Sequence, residues 1–188
     1  MYLILRRLFK IKEIKPQKTS LLYLSAENIN NKNKIYYCDT FCLTIPTYDI
    51  PKKLDNINII TTCYAQAFFS SSIFRLEWFI LHLLKNVSLE FNENNIKKNQ
   101  FLPGDEIVPG VFKVKNRTSE EILNDWNLFN NKISGQNWLS VNINLNEQKV
   151  YFLLGSTING NNYSRIMTIF HKIYSRILLN IAVNKLLR

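Results

Sequence analysis

This sequence predicts an α+β domain built on an antiparallel sheet, and three observations lead there. A long amphipathic helix closes the chain over residues 162–188, where Tyr163, Ile166, Met167, Phe170, Ile173, Tyr174, Ile177, Leu178 and Ile181 recur at helical spacing. A meander of short alternating segments precedes it. Two more helical stretches separate that meander from the first convincing strand. Strands grouped in sequence, with helices set apart from them, are the pattern of an α+β fold. The 188 residues, 46% of them hydrophobic, suffice for one domain whose core needs neither disulfide nor metal.

Residues 1–12 form a short basic amphipathic run. It is too short for a secretory signal and no small-residue cleavage site follows, so a strand or helix packed on the body is expected. Contact with a membrane surface is the alternative. Pro16 breaks the run, residues 21–24 are apolar again, and residues 27–34 read as an Asn/Lys-rich loop. The expected organisation is an N-terminal extension, 1–34, packed on a single domain, 35–188.

Residues 35–46 read as a strand, with Tyr36, Tyr37, Phe41, Leu43 and Ile45 supplying β-rich composition. Helix is expected over 53–69, with Leu54, Ile57, Ile60, Tyr64 and Ala67 down one side. The serines at 70–72 offer a break and an N-cap for a second helix over 73–87, apolar nearly all round and expected to be buried on two sides. Residues 90–100 read as exposed loop. Then 111–115 and 120–126 pair as a hairpin across a polar turn, and 127–136 is expected as loop. Residues 137–145 alternate, with Leu139, Val141, Ile143 and Leu145 one way and Trp138, Ser140, Asn142 and Asn144 the other. A tight turn at Asn146 and Glu147 leads into a strand over 150–158, apolar on both faces. In the closing helix Arg165, Thr168, Lys172, Ser175, Arg176, Asn180 and Lys185 are expected to face water. At about 1.5 Å per residue that helix runs about 40 Å, enough to cross the domain.

The net charge of +10 permits contact with nucleic acid or an anionic membrane, yet Lys and Asn are spread along the whole chain. Aromatic residues interleave sparsely with the basic ones, which argues against a stacking platform for single strands. Arg165, Lys172 and Arg176, with Arg6, Arg7, Lys10 and Lys12, are read first as a solvated face and second as a phosphate- or lipid-facing patch. Cys38, Cys42 and Cys63 have no metal-ligand spacing and read as reduced thiols of a cytoplasmic protein. No apolar run approaches the ~18–20 residues of a membrane span.

No Gly-rich phosphate loop and no nucleophile elbow is present. His82 reads as a buried or edge residue satisfied by a neighbour, and His171 as a surface residue. Carboxylates at turns and strand ends are explained by solvation. No catalytic residue, metal ligand or cofactor is therefore expected. Trp78, Trp126, Trp138, Tyr151, Phe152, Phe170 and Tyr174 are core residues by default and could instead line a cavity.

Three further stretches carry a resemblance. They are residues 37–41 with Pro46; Gly104, residues 112–114, Arg117, Thr118 and residues 120–123; and Asn161, Arg165 and residues 174–177. In this order they resemble an uncharacterised bacterial family known only as a domain of unknown function. Its members stand alone or are fused behind short-chain-dehydrogenase-like NAD(P)-binding domains. The element order is similar to the wider START-like (SRPBCC) helix-grip superfamily, in which an antiparallel sheet wraps a long C-terminal helix. The likeness covers residues 35–188, but family members tend to carry His where this chain has Gly160 and Ser175. They also carry an acidic-His-Leu element before residue 137 that is missing here. Any chemistry of those histidines is therefore expected to be lost.

The resemblance implies non-catalytic binding of a hydrophobic or amphipathic small molecule between the sheet and the closing helix. Val141, Ile143, Ile166, Phe170, Ile173, Tyr174 and Ile177 are the expected lining. An enzyme or accessory subunit related to cyclases or short-chain dehydrogenases is the alternative. A basic module for anionic lipid or RNA is the third.

Overall fold

The computed structural model describes residues 10–30, 35–85, 92–128, 133–159 and 165–188. Residues 1–9 of the N-terminal run and the start of the closing helix at 162–164 lie outside them. In chain order the elements are β1 (Lys12–Glu13), α1 (Leu21–Asn30), β2 (Ile35–Pro46), a 3-10 turn (Thr47–Asp49), α2 (Ile57–Phe69) and α3 (Ser72–Lys85). They continue as α4 (Glu93–Lys98), β3 (Glu106–Val108), β4 (Phe112–Arg117), β5 (Glu121–Leu128), β6 (Ile133–Asn144), β7 (Lys149–Asn159) and α5 (Arg165–Leu186). The strands make one seven-stranded sheet in the order β1-β2-β7-β6-β5-β4-β3, antiparallel throughout. The α+β class and the antiparallel sheet stand as the sequence predicts.

The two faces of the sheet bury different things. On one, Phe41, Leu43, Ile45, Ile122, Leu139, Val141, Phe152 and Leu154 meet α2, α3 and α5 in the main core. An aromatic run of Phe68, Phe69, Phe74, Phe101 and Phe112, with successive ring centroids 5.0 to 6.0 Å apart, ties α2 and α3 to β4. On the other face α1 lays Leu22 on Cys42, Leu123, Trp138 and Leu153. That helix extends through residues expected to be loop. Its start is fixed by Glu121, whose Oε2 accepts from Leu21 N at 2.7 Å and from Trp138 Nε1 at 3.0 Å. Gly155 lets Leu22 in, because a Cβ there would stand 2.5 Å from the leucine's Cδ2.

Three more expectations are corrected. Residues 93–98 form α4, capped by Asn92, whose Oδ1 accepts from Asn95 N, and pinned by buried Ile96. Strand β6 begins at Ile133, inside the expected loop. Helix α3 buries only one side: Phe74 and Trp78 face the core while Leu76, Phe79 and Leu83 are exposed.

The largest correction concerns α5. Its buried residues are Ser175, Leu178, Leu179, Asn180, Ala182, Val183 and Leu186, whereas Ile169, Phe170 and Ile173 are exposed. The helix is therefore turned from the expected stripe. Ser175 and Ala182 are small enough to let the backbone approach the sheet, and Leu178, Leu179 and Val183 fill the space on either side. The buried Asn180 accepts from Asn184 Nδ2 at its backbone oxygen (2.8 Å) and at Oδ1 (2.9 Å), so it can sit inside.

This rotation makes opposite demands on two large apolar residues. Leu179→Ala is expected to lower unfolding free energy by about 2–5 kcal/mol, and Phe170→Ala by less than about 0.5 kcal/mol. Urea denaturation of both variants checks the assignment, and the reverse ranking contradicts it.

Candidate functional site

Strand register brings together four polar residues that are far apart in sequence. Asn124 on β5 pairs with Asn137 on β6, Asn137 with Ser156 on β7, and Ser156 with Asp39 on β2. With strands about 4.8 Å apart, this row crosses about 14 Å of sheet. All four lie on the helix-facing side, because each is two residues from a main-core position: Ile122, Leu139, Leu154 and Phe41, which are themselves register partners. On the far side of the row stand Trp126, Gly135, Ile158 and Tyr37, again in register. Gly135 has no alternative, since a Cβ would meet the Trp126 indole at 2.5 Å and Thr157 O at 2.0 Å. A polar belt thus crosses an otherwise apolar helix-facing side of the sheet.

Three members of the belt are buried, Asn124 at 0%, Asp39 at 4% and Ser156 at 5% exposure, and Asn137 is half-buried. At one end the polar groups are well satisfied. Tyr37 OH donates to Asp39 Oδ2 at 2.6 Å, and Ser156 Oγ donates to Asp39 Oδ1 at 2.8 Å. His171 of α5 reaches down so that Nε2 lies 2.7 Å from Ser156 Oγ, 3.4 Å from Ser175 Oγ and 3.6 Å from Asp39 Oδ1. Ser156 has one proton, which goes to the carboxylate, so His171 donates to Ser156 and carries its proton on Nε2. Tyr37 packs edge-on against the imidazole, centroids 5.5 Å apart.

At the other end two acceptors are left over. Asn124 Oδ1 and Asn137 Oδ1 are buried and accept no hydrogen bond from the described residues. Asn124 Nδ2 donates to the backbone oxygen of Asn137 at 3.5 Å. A buried acceptor without a donor costs about 1–3 kcal/mol. The fold tolerates two of them side by side.

α3 and α5 meet beside the row. Phe74 of α3 packs on Phe112, the register partner of Trp126. Glu77 of α3 accepts a hydrogen bond from Tyr174 OH of α5. Burial holds the Glu77 carboxyl above its ordinary value, against the opposing pull of Tyr174 and of nearby His171.

Several sequence expectations change here. His171 is a member of the cluster rather than a plain surface residue. Of the expected lining, Val141 is fully buried in the packed core, while Ile143 is 38% exposed near the β6–β7 turn. Phe170 is 67% and Ile173 53% exposed; Tyr174 and Ile177 are half-buried, and the Ile166 side chain lies outside the described residues. These residues do not converge. Val141 pairs with Phe152, four residues and so about 13 Å along β7 from Ser156, where His171 docks. Among the basic residues, Lys172 and Arg176 turn to Glu13, at 2.7 and 3.9 Å, which offsets the charge of that patch.

A cavity of about 110 Å³ lies elsewhere, lined by Trp78, Ile96, Ile107 and exposed polar residues of α4 and its flanks. No group of acidic, His and Cys side chains among the described residues could hold a metal ion. No helix among them is long and apolar enough to cross a membrane. No protein family, curated protein or solved structure matches this chain.

Two outcomes follow from this geometry. Asn124→Leu removes a buried unpartnered acceptor at similar volume, so it is expected to stabilise the free protein by about 1–3 kcal/mol, read as a higher Tm; a lower Tm contradicts the assignment. For Glu77 the raised value means that the folded state holds its proton more tightly than the unfolded state. Its stabilisation is complete below the ordinary value of 4.5 and is lost as pH rises through the raised one. Glu77→Gln should therefore gain Tm relative to the parent as pH rises across that window, and a parallel pH profile for the two proteins contradicts it.

Proposed function

We propose that this chain is a START-like helix-grip domain that binds one amphipathic small molecule, without catalysis, between the sheet and α5. The ligand's polar end sits on the Asn124–Asn137–Ser156–Asp39 row. Its apolar part runs past Trp126, Ile158 and the roof of α3 and α5. Topology supports this reading. The first and last long strands, β2 and β7, pair with each other; α2 and α3, followed by the short α4, lie between β2 and the meander; and a long helix comes last. That is the element order of the helix grip.

The observation that carries the reading is the pair of buried acceptors, Asn124 Oδ1 and Asn137 Oδ1. A folding core gains nothing from them, because apolar side chains of the same size would pack there at no desolvation cost. A binding site gains orientation and selectivity from a few polar groups fixed in an apolar wall. The seat proposed here differs from the lining expected from sequence: Tyr174 meets Glu77 on α3, Ile177 is half-buried, Phe170 and Ile173 are exposed, and Val141 belongs to the core.

Proton transfer is a second reading, favoured by the Asp39–Ser156–His171 chain. It orients an imidazole as an acid–base group requires, with the Nε2 proton fixed and Nδ1 left as the basic nitrogen.

Native mass spectrometry of the chain purified from cells tests the proposal. One small molecule per chain is expected, absent from Asn124→Leu while that variant keeps its fold. A parent protein that carries nothing, or an adduct that Asn124→Leu retains, overturns it.

A further inference from the structure

The chemistry of the row also specifies the ligand's polar end, and this step rests on the row being a ligand seat. We propose that the seat takes a primary ammonium group, so that the ligand class is an alkylamine rather than a fatty acid or a phosphate ester.

The argument starts from the balance of donors and acceptors. The unpartnered atoms of the row, Asn124 Oδ1 and Asn137 Oδ1, are both acceptors. The Asp39 side chain is only 1% exposed, and Glu77 brings a second carboxyl to the contact of α3 with α5. Against these acidic groups the row sets one imidazole, His171, turned to Ser156 and Asp39. Of the guanidinium groups, Arg117 on β4 pairs with Ile122, one register row away, and gives its Nη2 to Asn58 and Thr62 of α2 at 2.6 and 2.7 Å. Arg176 lies over the Phe41 ring at 5.3 Å, in the neighbouring apolar row, and turns its Nη2 toward Glu13. Its Nε is buried without a partner, but on the β1 side of the sheet, away from β5 and β6. Lys172 is likewise committed to Glu13.

An anionic head placed at the Asn124–Asn137 end would meet two amide oxygens directly, while His171 is turned to Ser156 and Asp39. An ammonium meets the reverse. It carries three donors and no acceptor, and a charged donor makes the stronger kind of hydrogen bond. The geometry suits a single nitrogen. Asn124 and Asn137 are direct register partners, with Cα atoms about 4.5–5.5 Å apart, so one –NH3+ can reach both carbonyl oxygens. Its third proton points along the row toward Ser156 and Asp39.

This preference opposes the field of the whole molecule. At a net charge of +10, nonspecific attraction would favour a carboxylate over an amine. An amine that wins does so through the local acceptors, which makes the comparison decisive.

The test titrates the full chain with hexylamine, 1-hexanol and hexanoate, equal in tail and different in head, by isothermal calorimetry near neutral pH. Hexylamine is expected to bind about tenfold or more tighter than hexanol, and hexanoate not measurably. Asn124→Leu and Asn137→Leu should each weaken hexylamine about tenfold while changing hexanol less, consistent with one charge-assisted bond lost. Hexanoate equal to hexylamine, or hexanol equal to it, overturns the ammonium assignment and leaves the seat standing. Hexylamine bound equally by the parent and both variants places it elsewhere and also overturns the assignment. If none of the three binds, the assignment falls; an amine-free adduct in the purified protein would then leave the seat intact, and an empty protein would take both away.

Discussion

Burying polar groups on the helix-facing side of the sheet is the constraint on which this structure turns. Apolar rows lie to either side of the Asn124–Asn137–Ser156–Asp39 belt: one of Ile122, Leu139, Leu154 and Phe41, the other dominated by Trp126 and Ile158. Within the belt one half is closed by its own hydrogen bonds and the other is not. The closed half needs α5 in one rotation only, since His171 must point down at Ser156. With His171 inward, Leu178, Leu179, Ala182 and Val183 follow inward at helical spacing, and Phe170 and Ile173 are carried out to solvent. The helix register is thus consistent with the polar contact and with the packing at once.

The same rotation sets the contact with α3. Tyr174 is next to Ser175 on α5 and meets Glu77 of α3. A buried carboxyl between two helices stabilises their contact when protonated or bonded, and weakens it when charged and alone. α3 and α5 are thus joined through a titratable pair, while Lys185 ties the opposite end of α5 to the backbone oxygen of Ser70 at 2.7 Å. Packing is apolar at that end and polar at this one. A ligand that brings its own donors would complete the polar end without disturbing the apolar one.

Much of the fold was legible because its signals are local. Composition marked β2, alternation marked β6, an apolar run after a tight turn marked β7, the serines at 70–72 marked the step from α2 to α3, and the order of elements indicated an antiparallel sheet. The α5 face was not legible. Both Phe170–Ile173–Ile177 and Leu178–Leu179–Val183 make an apolar stripe, and choosing between them needs the shape of the sheet beneath. The polar row was hidden for a different reason. Asn124 and Asn137 look like ordinary strand polar residues until the pairing of β5 with β6 puts them side by side. One clue was present: Asp39 shares the odd-numbered face of β2 with Phe41, Leu43 and Ile45, which places a carboxylate on a core face. Likewise His171 and Ser175, four apart, lie on one side of α5.

The most direct test of the central claim is a crystal structure of the purified protein at about 1.5 Å resolution. The account predicts density for a bound molecule within hydrogen-bond distance of both Asn124 Oδ1 and Asn137 Oδ1, roofed by α3 and α5. Two asparagine oxygens satisfied by protein donors, with the space above them filled by side chains, would contradict it.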